Sequence, residues 1–122
     1  YVTKGCRMLD VGCGSGILAI CASKLGAGIC WDVGHANISG YKQSEQMKIL
    51  DGRLDVLHIH DNDGEGDDHL PVWQGTIDWD KLFPAIKAHA SKAILVMEYC
   101  CGFENTTELE AHLAKLKAKY EI

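Results

Sequence analysis

Val56-Leu57-His58-Ile59-His60 is an apolar run that passes directly into Asp61-Asn62-Asp63-Gly64-Glu65-Gly66-Asp67-Asp68-His69. A short apolar, β-rich run reads as a strand, and the polar, glycine-rich stretch from Asp61 to Gly75 is too long for a minimal turn. Three further segments share the character of the first: Arg7 to Val11, Ile29 to Val33 and Ala93 to Glu98. Each is nearly continuous in apolar residues, as expected of strands covered on both faces. Helical patterns separate and follow them, at Ile17 to Leu25, Ser44 to Leu50, Trp79 to Ala90 and Thr107 to Tyr120. This alternation is the signature of parallel strands joined by crossover helices, so the fold class is α/β. Long loops at the carboxyl ends of such strands are where these folds build sites, which makes the stretch after His60 the first place to look.

Local signals agree with this layout. Leu109, Leu113 and Leu116 recur at i, i+4 and i+7, while Glu108, Glu110, Lys115 and Lys117 face the other way. Thr106 or Thr107 is expected to begin that helix, with Glu110 three residues after Thr107 completing a capping box. Gly26 is expected to end the first helix in a left-handed conformation.

The 122 residues suffice for one domain but reach only about half the length of a (βα)8 barrel. Twelve basic against seventeen acidic residues give a net charge of −5, with no Lys/Arg cluster to neutralise a phosphate backbone, so nucleic acid is not an expected partner. No apolar run reaches membrane-spanning length and the first residues lack the layout of a signal peptide, from which a soluble, cytoplasmic chain is expected. The six cysteines, Cys6, Cys13, Cys21, Cys30, Cys100 and Cys101, form no C-x-x-C pair and no zinc-ribbon spacing. They read as reduced thiols, with the adjacent Cys100 and Cys101 the one pair open to adventitious oxidation.

Two resemblances meet at a seam near residues 27 and 28. Leu9-Asp10-Val11-Gly12-Cys13-Gly14-Ser15-Gly16-Ile17-Leu18-Ala19-Ile20 resembles motif I of class I S-adenosylmethionine-dependent methyltransferases, most of all the ribosomal-protein methyltransferases. There a strand turns through glycines so that backbone amides and a helix N-terminus face a ligand. The resemblance covers residues 4 to 27 and implies cofactor contacts from Gly12, Gly14 and Gly16, with Asp32 in the place of the acidic residue that binds the cofactor ribose. A bare strand-to-helix turn that binds nothing is the other reading of the same glycines.

From Gly28 onward the chain resembles the C-terminal part of sugar phosphate isomerase/epimerase proteins with a xylose-isomerase-like barrel. The matching text is Cys30-Trp31-Asp32-Val33-Gly34-His35-Ala36-Asn37, Leu57-His58-Ile59-His60-Asp61-Asn62-Asp63-Gly64, Gly75-Thr76-Ile77-Asp78-Trp79 and Val96-Met97-Glu98. It implies a divalent metal, Mn²⁺, Mg²⁺ or Co²⁺, held by Glu, Asp, His and Glu at the ends of the last four barrel strands. Asp32, His58 and Glu98 match the last three. The fourth ligand, also an acid/base, belongs to the strand that the methyltransferase-like piece replaces, where Asp10 is the substitute, one methylene shorter.

The residues single out the same set without the resemblance. Asp32, His58 and Glu98 are each a polar residue at the carboxyl end of an apolar strand, able to point into a shared mouth. Two carboxylates with one imidazole suit a hard or borderline divalent cation. The resemblance implies Glu98, Asp10 and His35 as catalytic residues, the last matching a family position that contacts substrate oxygen, although a loop histidine is the other reading. His60 is expected to be structural or solvent-facing. The acidic run Asp61, Asp63, Glu65, Asp67, Asp68, with His69, reads as a solvated turn, with calcium binding as the alternative.

One domain over residues 1 to 122 is expected, made of four βα units with parallel strands, half of a (βα)8 barrel. A half barrel exposes the inner faces of its strands and two unpaired edges, so a homodimer that closes both is expected. A small open flavodoxin-like sheet is the alternative. The functional expectation is a recombined or engineered chimeric scaffold that retains a divalent-metal site without selected catalysis. The alternatives are a metal-dependent sugar or sugar phosphate isomerase/epimerase and, further off, an S-adenosylmethionine-binding domain.

Overall fold

The computed structural model describes residues 8–10, as backbone, and 26–122. Four parallel strands, β1 (Met8–Asp10), β2 (Gly28–Asp32), β3 (Leu54–Ile59) and β4 (Ile94–Met97), pair in the order of the chain. Helices α1 (Val33–Ile38) and α2 (Gln43–Ile49) lie between β2 and β3, α3 (Trp79–His89) between β3 and β4, and α4 (Thr106–Tyr120) after β4. Strictly consecutive order is that of a (βα) barrel segment. A flavodoxin-like sheet would reverse direction at a switch point, and this one does not. The expected helix at Ile17 to Leu25 lies outside the described residues, while Gly26 has the expected positive φ of 87°.

The register assigns the two faces of the sheet. Cys30 pairs with Val56 and Asp32 with His58, and these pair with Ile94 and Val96 in turn, which places all six on one face. Ile29, Trp31, Leu57, Ile59, Leu95 and Met97 occupy the other and join the core. That core is closed by Trp79, Leu82, Phe83 and Ile86 of α3, at i, i+3, i+4 and i+7, and by Leu116 and Tyr120 of α4. The strands were expected to be covered on both faces. Ile94 is instead 65% exposed and Val96 37%, both on β4, while Cys30 and Val56 on the same face are buried.

Caps fix the helix starts. The Asp78 side chain accepts from the Lys81 amide at 3.2 Å and starts α3. α4 begins at Thr106, as expected, but the capping pair differs: Asn105 is the cap, its Oδ1 accepting from the Glu108 amide at 3.1 Å while Glu108 Oε1 accepts from Asn105 Nδ2 at 3.2 Å. Asn caps at least as well as Thr, and the Asn105/Glu108 spacing is the same three residues moved two positions earlier. Among the described residues, no helix is long and apolar enough to cross a membrane. Among the described residues, Cys30, Cys100 and Cys101 form no disulfide.

Candidate metal centre

Asp32 ends β2 and caps α1, its Oδ1 accepting from the His35 amide at 2.9 Å. One strand over, His58 is its register partner. Glu98 follows β4, and its amide extends the ladder by donating to the Ile59 carbonyl at 3.1 Å. Three successive strand ends thus deliver three side chains to one point: His58 Nδ1 lies 3.6 Å from Asp32 Oδ2 and 3.2 Å from Glu98 Oε1. The far nitrogen of His58 is steadied by Cys30, with 3.3 Å between Nε2 and Sγ.

These atoms could hold a divalent cation. In an octahedral shell with ligands at ~2.1 Å, neighbouring ligand atoms stand about 3 Å apart. The 3.2 Å separation needs to close by about 0.2 Å and the 3.6 Å separation by about 0.6 Å to meet that spacing. Burial works to raise the Asp32 carboxyl, yet hydrogen bonds from His60 and the His35 amide, with the charge of both imidazoles, hold it below its ordinary value. An ionised carboxylate is the form a metal requires.

A second group sits beside the first. His35, His60, Asp67 and His69 bring one potential ligand atom each to within 4.8 Å of one another. His35 Nε2 is 3.1 Å from Asp67 Oδ2, and His69 Nε2 is 3.4 Å from Asp67 Oδ1. His69 Nδ1 donates to the Glu98 carbonyl at 2.9 Å, tying the long loop to the end of β4. Burial works to lower the His69 imidazole, but that hydrogen bond and the Asp67 and Glu98 charges raise it above its ordinary value.

The expected residues divide cleanly. Asp32, His58 and Glu98 meet, and His35 stands next to Asp32, with 3.4 Å between His35 Nδ1 and Asp32 Oδ2. Asp10 ends β1 opposite Cys30, one pleat repeat before the row of Asp32 and His58, and its side chain lies outside the described residues. Gly12, Gly14 and Gly16 also lie outside them. His60 does not face solvent: it is fully buried and donates from Nε2 to Asp32 Oδ1 at 2.9 Å. The acidic run is no uniformly solvated turn either. Asp61 is fully buried, Asp67 faces two histidines, and Asp63 Oδ1 accepts from the amides of Glu65 at 2.7 Å and Gly66 at 3.0 Å.

Buried Asn62 is a structural residue that strand and loop patterns gave no reason to select. Its Nδ2 donates to the Gly34 carbonyl at 2.9 Å, and its Oδ1 accepts from Asn37 at 2.8 Å and from the Gly64 amide at 3.0 Å. The available signal was the unbroken polar triplet His60-Asp61-Asn62 continuing a buried strand, since polar groups there must find partners.

The model of the xylose isomerase-like TIM barrel family matches residues 18–119. The chain belongs to this family. The xylose isomerase-like match begins ten residues before the seam at 27/28 and so runs across it. A solved structure titled D-tagatose 3-epimerase-like protein superposes with a TM-score of 0.57 at 24% identity, covering 76% of this chain and 37% of that one, a likeness of fold. An uncharacterized protein, y4fM, of Sinorhizobium fredii is 39% identical over 61 residues, half of this chain and 20% of that protein. The ribosomal protein L11 methyltransferase of Acetivibrio thermocellus is 74% identical over 27 residues, 22% of this chain and 9% of that enzyme. The matched part is therefore about a fifth of y4fM and less than half of the epimerase-like chain.

Proposed function

We propose that the chain carries a divalent-metal site of the sugar isomerase/epimerase type, with Asp32 Oδ2, His58 Nδ1 and Glu98 Oε1 as ligand atoms and Mn²⁺, Mg²⁺ or Co²⁺ as the cation. The observation that carries this reading is the convergence of those three atoms from three consecutive strand ends. A bound cation would polarise the two oxygens of a hydroxy-ketone and ease removal of the carbon-bound proton. Around it, His35 stands at the mouth to contact a substrate oxygen, and Glu98 and Asp10 are the carboxylates available to move a proton. A small sugar or sugar phosphate is the substrate class. Asp32 would also be needed by an S-adenosylmethionine site, and its engagement by His35, His58 and His60 favours the metal.

Calorimetric titration with MnCl₂ tests this reading against a His58→Ala variant. Binding in the parent and its loss in the variant is the expected result. Identical curves would remove the site.

A second reading is a recombined scaffold that binds metal but has no selected turnover. It is supported by the 74% identity to a methyltransferase over 27 residues in a chain of another family. Metal-dependent epimerisation of a ketose by the purified chain would sink it. Pairing of two copies belongs to either reading, and the exposure of Ile94 and Val96 on the same face as Asp32 and His58 supports it.

A further inference from the structure

We infer that His60 sets which cation the Asp32 site accepts, by keeping one oxygen of Asp32 out of coordination. This rests on the metal reading above and concerns a residue outside the three ligands.

Both hydrogen bonds that Asp32 receives fall on one oxygen. The His35 amide and His60 Nε2 each donate to Oδ1 at 2.9 Å, filling the two acceptor positions of that atom. Oδ2 accepts neither of these bonds and faces the rings of His35, with Nδ1 at 3.4 Å, and His58, with Nδ1 at 3.6 Å. Because Asp32 only accepts, His60 must carry its proton on Nε2, and the contact fixes the tautomer.

The imidazole has no freedom to turn away. It has no exposed surface, stacks on His69 with centroids 3.9 Å apart and planes 7° from parallel, and lies against Gly34, where an added Cβ would come within 2.0 Å of its Cε1. Its other nitrogen, Nδ1, is buried with no hydrogen-bond partner. A leucine or phenylalanine would fill the space without stranding a polar atom, so packing does not account for a histidine here. What the histidine supplies is the bond to Oδ1.

Asp32 is thereby confined to one-oxygen ligation. Mg²⁺ and Mn²⁺ sites are built from six ligands with single-oxygen carboxylates, whereas Ca²⁺ takes six to eight oxygens and commonly a bidentate carboxylate. His60 therefore favours the smaller ions and disfavours calcium. It is a positioning residue, acting through Asp32.

The test is calorimetric titration of the 122-residue chain with MnCl₂ alone and with CaCl₂ alone, on the parent, His60→Met and His60→Gln, with circular dichroism and thermal unfolding as controls for folding. Met fills space but donates nothing, while the Gln amide can donate to Oδ1. The expected result is a loss of about 10- to 100-fold in Mn²⁺ affinity for His60→Met, the range for removal of a group that orients a ligand, with a smaller loss or a gain for Ca²⁺. Part of the Mn²⁺ preference should return in His60→Gln. An unchanged Mn²⁺ to Ca²⁺ ratio in a folded His60→Met variant overturns the inference while leaving the metal site standing. Absence of Mn²⁺ binding in the parent overturns the metal reading itself. Should His60→Met fail to fold, the folded His60→Gln decides, and a calcium-preferring His60→Gln overturns the proposal.

Discussion

The Trp79 indole donates a 2.7 Å hydrogen bond to Oδ2 of Asp61, a carboxylate with no exposed surface. Oδ1 of the same residue accepts from the Asn62 amide at 3.0 Å and the Ile77 amide at 3.2 Å. One side chain thus ties both ends of the loop after β3 to the first turn of α3. Replacing Asp61 by alanine should destabilise the fold by about 1–3 kcal/mol, the range for stranding buried donors, and Trp79→Phe, which strands the buried Oδ2, should cost a similar amount, about 1–3 kcal/mol. Urea unfolding of both variants checks this, and equal stability of Asp61→Ala and the parent would contradict it.

Tyr99 gives the alkaline limb. Burial pushes its phenol up to about 12, the hydrogen bond with Val72 opposes this, and the Asp61 charge adds to it. The folded state therefore favours the neutral phenol more than the unfolded state does. Its contribution to stability is complete below about pH 10, the ordinary tyrosine value, and is lost as pH rises toward 12. Denaturant midpoints measured from pH 9 to 11.5 should fall in the parent and fall less in Tyr99→Phe.

Asp32 gives the opposite sign at the acid end. Its folded value lies below the ordinary 3.8, so its contribution is present above that pH and lost as pH falls through the lowered value. In metal-free protein, Asp32→Asn should flatten the acid limb of a stability-against-pH curve. A parallel curve for the two proteins would show that the carboxylate is not held by its neighbours in solution.

Metal linkage can be read without turnover. If the site binds Mn²⁺, the ion at a hundred times its dissociation constant should stabilise the folded chain by about 2.7 kcal/mol, and chelation should remove the gain. Glu98→Gln should show a much smaller upward shift in thermal unfolding. Equal shifts in both proteins would place the ion elsewhere.

Pairing through the open sheet face predicts a solution mass of two chains by light scattering. Ile94→Lys puts a charge at a 65% exposed position on that face, at the start of the edge strand β4, and should yield the single-chain mass. A parent already at the single-chain mass would dispose of the dimer.

The strands were readable because β2, β3 and β4 are short apolar runs whose polar terminators, Asp32, His58 and Glu98, stand out against them. Their convergence followed from strand order, which fixes which ends are neighbours. The long loop was harder. Asp61 and Asn62 look like the opening of a solvated turn in the sequence, after His60 at the end of the strand, and the close approach of the Gly34 and Gly75 backbones goes with all three being interior. An added Cβ at Gly75 would lie 2.2 Å from the Asn62 carbonyl oxygen, a tertiary constraint that no local period encodes. The α4 cap was misplaced by two residues because Asn105 and Thr107 both begin a spacing that ends in glutamate.

The consecutive order of the strands has a bearing on how such a site is inherited. Asp32, His58 and Glu98 are neighbours in space and also successive along the chain, with nothing from elsewhere in the sequence interposed between their strands. A break anywhere before Gly28 leaves the three together, along with the buried residues that orient them. In a sheet whose order reverses, the same break would separate neighbours. The candidate centre therefore draws its three side chains from one unbroken stretch of chain, Asp32 to Glu98, on adjacent strands.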